Sequence, residues 1–273
     1  MNTNKLLHTA INAAIKAGEK IMEIYNSDNF GIRTKKDNSP LTLADQAAHD
    51  IIISSLSVTC IPVLSEEGIN ISYSERSKWN EFWLVDPLDG TKEFIRRNGE
   101  FTVNIALISN KKPVAGVIFI PVLSKLYFGS DSTGSFLLED IKGLKGMSAD
   151  AMMKAAKQLP HRMPPDDRFI IVASRSHMNK ETEQFIEMYR AHFPVTELIS
   201  CGSSLKICLI AEGYAHIYPR FGPTMEWDIA AGHAIAKAAG CFFTGINGDK
   251  MCYNKESLLN PFFIVSRKRE YII

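Results

Sequence analysis

The apolar positions of the first 25 residues recur at steps of three and four. They fall on one helical face, made by Leu7, Ile11, Ala14, Ile15, Gly18, Met22 and Tyr25. This spacing predicts an amphipathic helix. Its polar face is not rich in Lys or Arg, so packing on a protein core is favoured over docking on a membrane surface.

The next part of the chain changes from a helical to a strand-like pattern. A second helix is predicted over residues 42–58, between polar loops at 31–40 and 65–80. Short apolar runs predict strands at 60–64, 82–85, 101–109, 113–120, 125–130 and 135–138. Asp86-Pro87 is expected to end the strand at 82–85, because proline cannot donate to a sheet ladder.

From residue 169 onward, strands and helices alternate. Strands are predicted at 169–173, 195–199 and 215–218, helices at 179–189, 203–212 and 227–239, and short strands near Cys241 and Phe263. The Lys- and Met-rich stretch 140–167 connects this part to the first. We therefore predict an α+β half at 1–145, carrying most of the site, an α/β half at 165–273, and a site between them.

Composition and charge exclude several classes of protein. The 273 residues contain 31 Lys and Arg and 30 Asp and Glu, without a basic block. A non-specific nucleic-acid binder needs a basic footprint, so no DNA partner is expected, and short RNA is considered only as a side substrate. No apolar run is long enough for a transmembrane helix, and the N-terminus is not a secretory signal.

The five cysteines are an odd number without a C-x-x-C pair. Neither a disulfide framework nor a zinc knuckle fits this pattern. Buried, reduced thiols in a cytoplasmic protein are favoured. Peripheral association with the inner membrane surface is left open, as is the oligomeric state.

The segment WLVDPLDGT, residues 83–91, concentrates the candidate chemistry. Asp86 and Asp89 lie three residues apart around a predicted tight turn, and the carbonyl of Leu88 can face the same point. Oxygen ligands of this kind suit Mg²⁺. The backbone N–H groups of Gly90 and Thr91, at a predicted helix start, could hold a phosphate oxygen. An ordinary Asp-Gly turn is the alternative.

Other acidic residues have both a structural and a functional interpretation. The pair at 66–67 follows a predicted strand, where a solvated loop is the plain alternative. Asp228 is predicted to be a helix N-cap with one oxygen free for a metal, on an Ala/Gly-rich helix that permits close packing. Asp45, three residues after Thr42, predicts a capping box, and a general base near a metal is the alternative.

Three motifs in this order, Ser-Glu-Glu, DPLDGT and WDIAAGH, resemble the lithium-sensitive, Mg²⁺-dependent inositol monophosphatase superfamily. Longer runs are similar to its CysQ-type branch, the 3′(2′),5′-bisphosphate nucleotidases: LVDPLDGTKEFI, NGEFTVNIALI, SRSH, GSSLK and YPRFGPT. The resemblance extends from about residue 35 to 261. It implies a five-layered αβαβα sandwich, and assigns no role to the loops at 65–79 and 140–167.

The resemblance also implies a set of site residues. Two or three Mg²⁺ ions would be held by Glu66 (rather than Glu67), Asp86, the Leu88 carbonyl, Asp89 and Asp228. Asp45 and Thr91 would activate the attacking water. Substrate contacts would come from Glu66, Leu88, Gly90, Thr91, His177, Ser203, Lys206, Arg220 and Asp228. Among these, Lys206 and Arg220 would neutralise the 5′-phosphate that is retained.

The implied activity is hydrolysis of the 3′-phosphate of adenosine 3′,5′-bisphosphate (PAP) to AMP by metal-activated water. Its sulfated precursor PAPS is a further candidate substrate, which would place the protein in sulfur assimilation and PAP recycling, with no protein partner required. Another sugar or inositol phosphatase of the superfamily is the nearest alternative. A non-catalytic Mg²⁺/nucleotide sensor is disfavoured because Asp45 and Thr91 are both present, and an oxidoreductase because no G-x-G-x-x-G turn occurs.

Overall fold

The structure is a computed structural model that describes residues 3–35, 39–141, 147–175 and 178–273. Its helices are α1 (Thr3–Tyr25), α2 (Leu43–Leu56), α3 (Tyr73–Arg76), α4 (Thr91–Ile95), α5 (Ala149–Ala155), α6 (Lys180–His192), α7 (Leu205–Glu212) and α8 (Glu226–Ala238). Short 3₁₀ turns occur at Ser57–Thr59 and Arg269–Tyr271. Within the described ranges, no helix has both the length and the apolar character needed to cross a bilayer.

The strands form two large sheets and one small hairpin. The hairpin pairs β1 (Arg33–Thr34) with β2 (Pro40–Leu41). The larger sheet has seven strands in chain order, β3 (Val63–Ser65), β4 (Glu81–Asp89), β5 (Thr102–Ser109), β6 (Lys112–Ile120), β7 (Lys125–Ser130), β8 (Gly134–Glu139) and β9 (Lys157–Gln158). The smaller sheet contains β10 (Phe169–Ser174), β11 (Thr196–Cys201), β12 (Ile217–Arg220), β13 (Phe242–Gly245) and β14 (Phe263–Ser266), in the order β11-β10-β12-β14-β13.

These elements stack in five layers. Helices α1 and α2 cover one face of the seven-stranded sheet, and α8 packs on its other face. Helix α7 packs beside α8 and against strands of the five-stranded sheet, whose outer face is covered by α6. The αβαβα order predicted from the family resemblance is therefore confirmed. The division of the chain at residues 145 and 165 stays a prediction.

Burial on both sheet faces explains the continuous apolar runs in the central strands. In β4, Trp83 and Val85 pack toward α1 and α2, whereas Phe82 and Leu84 pack into the core shared with α7 and α8. A strand that alternates between two cores has no polar face. The apolar face predicted for α1 likewise packs on the first of these cores.

Helix α8 lies close to the larger sheet because glycine leaves room for it. A Cβ added to Gly116 in β6 would lie 2.4 Å from the carbonyl oxygen of Ala231 in α8. A Cβ on Gly232 would lie 2.7 Å from the Ile207 side chain on α7. The close packing predicted for this helix is thus present, and it fixes the start of α8 against the end of β4.

Gly116→Ala is expected to lower the free energy of unfolding by about 1–3 kcal/mol, because the methyl group overlaps backbone that cannot move alone. Urea unfolding measures this change. Gly245→Ala is the matched control, since its Cβ would be 3.5 Å from the nearest heavy atom. A Gly116→Ala protein as stable as the control would show that α8 is free to move away from the sheet.

The expectation that Pro87 ends its strand is wrong. Strand β4 continues to Asp89, which pairs with Thr102, whereas Asp86 pairs with Asn104. Between these two pairs, β4 has two residues and β5 has only one, which is the register of a bulge. Pro87 falls inside this bulge, so its missing N–H breaks no regular ladder.

The polar connections contain more structure than their sequences indicate. The loop predicted at 31–40 includes the β1–β2 hairpin, and that at 65–80 includes α3, capped by Ser72. The stretch 140–167 contributes α5 and the edge strand β9. All of these elements except α5 are two to four residues long, too short for an apolar period to develop.

The cysteines only partly match expectation. All five are free. Cys201 and Cys208 are buried, but Cys60 and Cys252 are exposed. The prediction that the cysteines are buried is therefore wrong for Cys60 and Cys252. Cys60 lies in a turn after α2, with a positive φ of 56°.

Candidate active site

Three carboxylates from distant parts of the chain meet at the end of β4. Oxygens of Glu66, Asp86 and Asp228 lie within 4.8 Å of one another. Glu66 follows β3, and its N–H donates to the Val85 carbonyl at 3.1 Å, which keeps it beside β4. We call these three residues the acidic cluster.

Asp86 is the most buried member of the acidic cluster, with 2% of its surface exposed. One of its oxygens accepts the N–H of Leu88 at 3.1 Å, across the β4 bulge. Burial raises its pKa well above the ordinary range, and the neighbouring carboxylates Glu66, Asp89 and Asp228 raise it further. Like charges held this close favour a bound cation.

Asp228 reaches the acidic cluster from the first turn of α8. The prediction that it is the N-cap is wrong, because α8 begins at Glu226 and Asp228 is its third residue. Its Oδ2 accepts the N–H of Met225 at 2.8 Å. Burial again raises the pKa of this carboxyl, with Asp89 and Glu66 adding to the shift.

Asp89 stands beside the acidic cluster at the end of β4, and Leu88 precedes it in the bulge. The Asp89 side chain is half-buried and faces the same cleft as Asp228. Removal from bulk water raises its pKa, which the positive charge of Lys206 partly opposes. The donor set is therefore wholly oxygen and strongly anionic, which fits Mg²⁺ better than it fits a softer metal.

Asp45 and Thr91 form a hydrogen-bonded pair next to these acids. The Thr91 hydroxyl donates to Asp45 Oδ1 at 3.0 Å, and Thr42 donates to Oδ2 from its N–H at 2.7 Å. The capping box predicted for Thr42 and Asp45 is confirmed. Burial raises the pKa of Asp45, and the hydrogen bonds from both threonines oppose that shift.

A cleft of about 260 Å³ opens in front of these groups. The predicted site residues that line it are Glu66, Asp89, Gly90, Thr91, Ser203, Lys206, Arg220 and Asp228. Gly90 has a φ of 96°, and a Cβ there would lie 3.0 Å from the Glu100 carbonyl oxygen. Asp45 and Asp86 lie buried behind the cleft wall. His177 lies outside the described residues.

Two buried cations line the same cleft as the acidic residues. Lys206 is 5% exposed and Arg220 is 8% exposed. Among the residues that the structure describes, neither has a carboxylate within 4 Å, and Arg220 Nε has no hydrogen-bond partner. Lys206 Nζ donates to the carbonyl of Ser203 at 2.5 Å, and burial lowers its pKa. Buried positive charge without an ion-paired carboxylate is costly, so this part of the cleft suits an anion.

Ser203 has an uncommon backbone conformation at the cleft. Its φ is 44°, a left-handed value that is rare for residues other than glycine. Its hydroxyl oxygen is buried and has no hydrogen-bond partner within the described parts of the chain. Both features are typical of a position shaped for a ligand rather than for packing.

Sequence reasoning missed Lys35, which pairs with Glu66 at 2.8 Å and also with Glu67. Burial alone would lower the pKa of this amine, but the two glutamates outweigh that effect and raise it. Lys35 lies in a polar loop without periodicity, so no pattern indicated its partner. Asn104 was also missed, although a polar residue inside an apolar strand is a visible signal.

Comparison with known proteins agrees with this geometry. Residues 2–269 match the model of the inositol monophosphatase family. The 3′(2′),5′-bisphosphate nucleotidases CysQ of Shigella flexneri and Salmonella typhimurium are 42% and 43% identical to this chain, over 96% of it and 99% of each relative. A crystal structure of CysQ from Bacteroides thetaiotaomicron is 50% identical, with a TM-score of 0.91, covering 98% of this chain and 99% of that one.

The site, the fold and the comparisons therefore all indicate the same family. The TM-score of 0.91 over nearly the whole of both chains shows that this chain shares the fold of the CysQ crystal structure. The family match leaves out only the first residue and the last four. On these grounds the chain belongs to the inositol monophosphatase family.

Proposed function

We propose that this protein is a Mg²⁺-dependent 3′(2′),5′-bisphosphate nucleotidase that hydrolyses the 3′-phosphate of adenosine 3′,5′-bisphosphate to give AMP. PAPS, with APS as its product, is the second substrate we propose. One observation carries the proposal: a single cleft brings together the acidic cluster and two buried cations that have no carboxylate within 4 Å in the described parts of the chain. The nucleotidase names of the relatives support it.

The acidic cluster is suited to hold the cations. Members of this family are generally metal-dependent. Glu66, Asp86 and Asp228 would hold Mg²⁺ together with Asp89 and the Leu88 carbonyl, and we propose two or three ions. Bound Mg²⁺ supplies charge stabilisation at phosphoryl oxygens and lowers the pKa of water.

Thr91 and Asp45 are placed to manage the proton of the attacking water. The Thr91 hydroxyl proton is directed at Asp45 Oδ1, so a lone pair on the hydroxyl oxygen remains free toward the cleft. Through this hydroxyl, Asp45 can draw a proton from water as the water oxygen attacks phosphorus. The raised pKa of Asp45 makes it a better proton acceptor than an exposed carboxylate.

Lys206 and Arg220 are proposed to hold the phosphate that is not cleaved. A guanidinium offers a phosphate two parallel hydrogen bonds, and Lys206 adds a point charge. Ser203 and His177 are proposed to contact the remainder of the nucleotide. This separation of a cleaved and a retained phosphate distinguishes a bisphosphate from an inositol monophosphate.

Arg220→Gln is expected to lower kcat/KM for adenosine 3′,5′-bisphosphate by about 10- to 100-fold, the usual loss for a charged hydrogen-bonded pair. For adenosine 3′-monophosphate, which lacks the second phosphate, the expected loss is below about threefold. Arg168→Gln is the control, because Arg168 is exposed and pairs with exposed Glu197. Equal losses on both substrates would remove the role proposed for Arg220.

The function itself is tested by inorganic phosphate release, with Mg²⁺ and with EDTA. The substrates are adenosine 3′,5′-bisphosphate, inositol 1-phosphate and fructose 1,6-bisphosphate. We expect Mg²⁺-dependent release that is fastest from the nucleotide. Faster release from either sugar phosphate would favour another phosphatase of the family, and Mg²⁺-dependent nucleotide binding without release would favour a sensor. The cytoplasmic location stays a prediction.

A further inference from the structure

Three buried polar residues with no role in the preceding scheme form a continuous hydrogen-bonded chain. Thr102, Asn104 and Ser204 are 0%, 1% and 3% exposed. The Thr102 hydroxyl lies 2.9 Å from Asn104 Oδ1, and Asn104 Nδ2 lies 3.0 Å from the Ser204 hydroxyl. We call this chain the Ser204 bridge, since it ends at that residue.

The Ser204 bridge ends on the acids of the active site. The Ser204 hydroxyl lies 2.9 Å from Asp89 Oδ2 and 2.7 Å from the backbone carbonyl of Asp228. Asn104 Nδ2 is also 3.4 Å from Asp89 Oδ2. One hydroxyl therefore links the end of β4, the residue before α7 and the first turn of α8.

The direction of donation along the bridge is determined by chemistry. Asn104 Nδ2 lies 3.4 Å from Asp89 Oδ2, and a carboxylate oxygen accepts, so the amide nitrogen faces Asp89 and Ser204, and the amide oxygen accepts from Thr102. Ser204 accepts from that nitrogen, and its own proton is shared between Asp89 Oδ2 and the Asp228 carbonyl, which are both within hydrogen-bond distance. Neutral donors thus surround Oδ2 of Asp89, and its other oxygen stays available to a ligand.

The bridge also opposes a repulsion. Asp89 and Asp228 both line the active-site cleft, and two carboxylate charges held there would repel each other. They come from different elements, so without a link the two carboxylates could move apart. Ser204 holds Asp89 by its side chain and Asp228 by its backbone.

We propose that Ser204, oriented by Asn104, is a positioning residue that preorganises Asp89 and Asp228 for a divalent cation. The proposal rests on the Mg²⁺ dependence put forward as part of the function. Hydrogen-bond partners behind metal ligands typically contribute about 10- to 100-fold in metal affinity. Rigid placement of the ligands, rather than added charge, is the source of that gain.

The test measures Mg²⁺ binding directly, by isothermal titration without substrate, beside the Mg²⁺ dependence of kcat. Ser204→Ala is expected to weaken Mg²⁺ binding about 10-fold or more, whereas kcat at saturating Mg²⁺ falls by less than about threefold. Asn104→Ala should act in the same direction. The double variant should lose little more than Ser204→Ala, because the two residues act as one unit.

Two further variants separate positioning from packing. Ser135→Ala is the matched control, because Ser135 is 1% exposed and its hydroxyl has no hydrogen-bond partner in the described chain. Ser204→Thr keeps the hydroxyl, so its Mg²⁺ affinity should stay within about threefold of wild type. This loss is smaller than the one expected for Ser204→Ala, which removes the donor.

The outcomes distinguish this proposal from the proposed function. Ser204→Ala and Asn104→Ala proteins that lose stability but bind Mg²⁺ like wild type would overturn the positioning role. Wild-type protein that binds no Mg²⁺ would instead overturn the metal dependence itself. Weaker Mg²⁺ binding in both variants, with Ser135→Ala unchanged, would support the Ser204 bridge.

Discussion

Asp86→Asn is expected to lower kcat by at least about 1,000-fold, the scale on which loss of metal-based charge stabilisation acts. The amide can still accept the N–H of Leu88, so the β4 bulge should keep its shape. The protein should nevertheless become more stable in EDTA, because one buried like charge has been removed from the acidic cluster. A substitution that lowers activity but raises the stability of the metal-free protein identifies a carboxylate that serves function rather than folding.

The stability of the protein in EDTA is expected to fall as the pH rises. The folded-state pKa of Asp86 is raised above its unfolded value, chiefly by burial. Its contribution to stability is therefore fully present below about pH 4, its unfolded pKa, and is lost as the pH rises toward the folded value. Wild-type protein in EDTA should lose stability over this range, and Asp86→Asn should lose less.

Phosphate release and thermal unfolding, each with and without Mg²⁺, test these expectations for Asp86. Asp131→Asn is the control, because Asp131 is exposed and pairs with Lys237, which is also exposed. Mg²⁺-dependent turnover within tenfold of wild type in Asp86→Asn would remove Asp86 from the metal site. A variant less stable than wild type in EDTA would contradict the repulsion inferred for the acidic cluster.

Local patterns predicted local features of the site. The spacing of Thr42 and Asp45 predicted a capping box, which is formed by residues three apart and requires no tertiary information. Two details near the site were wrong for equally local reasons. A proline normally ends a ladder, and a bulge is invisible to periodicity, so β4 was predicted too short. Asp228 was assigned to the N-cap, three positions before its true place as the third helical residue, because helix boundaries are the least reliable part of a sequence prediction.

Contacts between residues far apart in the sequence could not be predicted from local patterns. Nothing in the spacing of the chain brings Asp228 to Asp86, which lies 142 positions earlier. Their approach depends on Gly116, which lets α8 pack close to β6, and only the family resemblance anticipated it. The Ser204 bridge was missed because Ser204 lies 100 positions after Asn104 in β5, and each member looks like an ordinary polar residue in sequence.

Thr91→Val is expected to lower kcat by about 100- to 10,000-fold, the range over which general base catalysis contributes. Valine has nearly the shape of threonine but cannot accept a proton from water or donate to Asp45. Loss of the hydrogen bond from Thr91 also removes one influence that lowers the pKa of Asp45, so that pKa should rise further. Mg²⁺ binding should be retained, which separates this variant from Asp86→Asn.

Thr42→Val provides a control that differs in a single respect. Both threonine hydroxyls donate to the Asp45 carboxylate, at 3.0 Å from Thr91 and 2.5 Å from Thr42, but only Thr91 lines the cleft. Thr42→Val should therefore lower the free energy of unfolding by about 1 kcal/mol through loss of the helix cap, and lower kcat less than tenfold. The kcat of Thr91→Ser, which keeps the hydroxyl, should stay within about tenfold of wild type. This loss is smaller than the one expected for Thr91→Val, which has no group to accept the proton. If Thr91→Val and Thr42→Val lowered kcat equally, Thr91 would serve only to hold Asp45, and the proton of the attacking water would have to leave by another route.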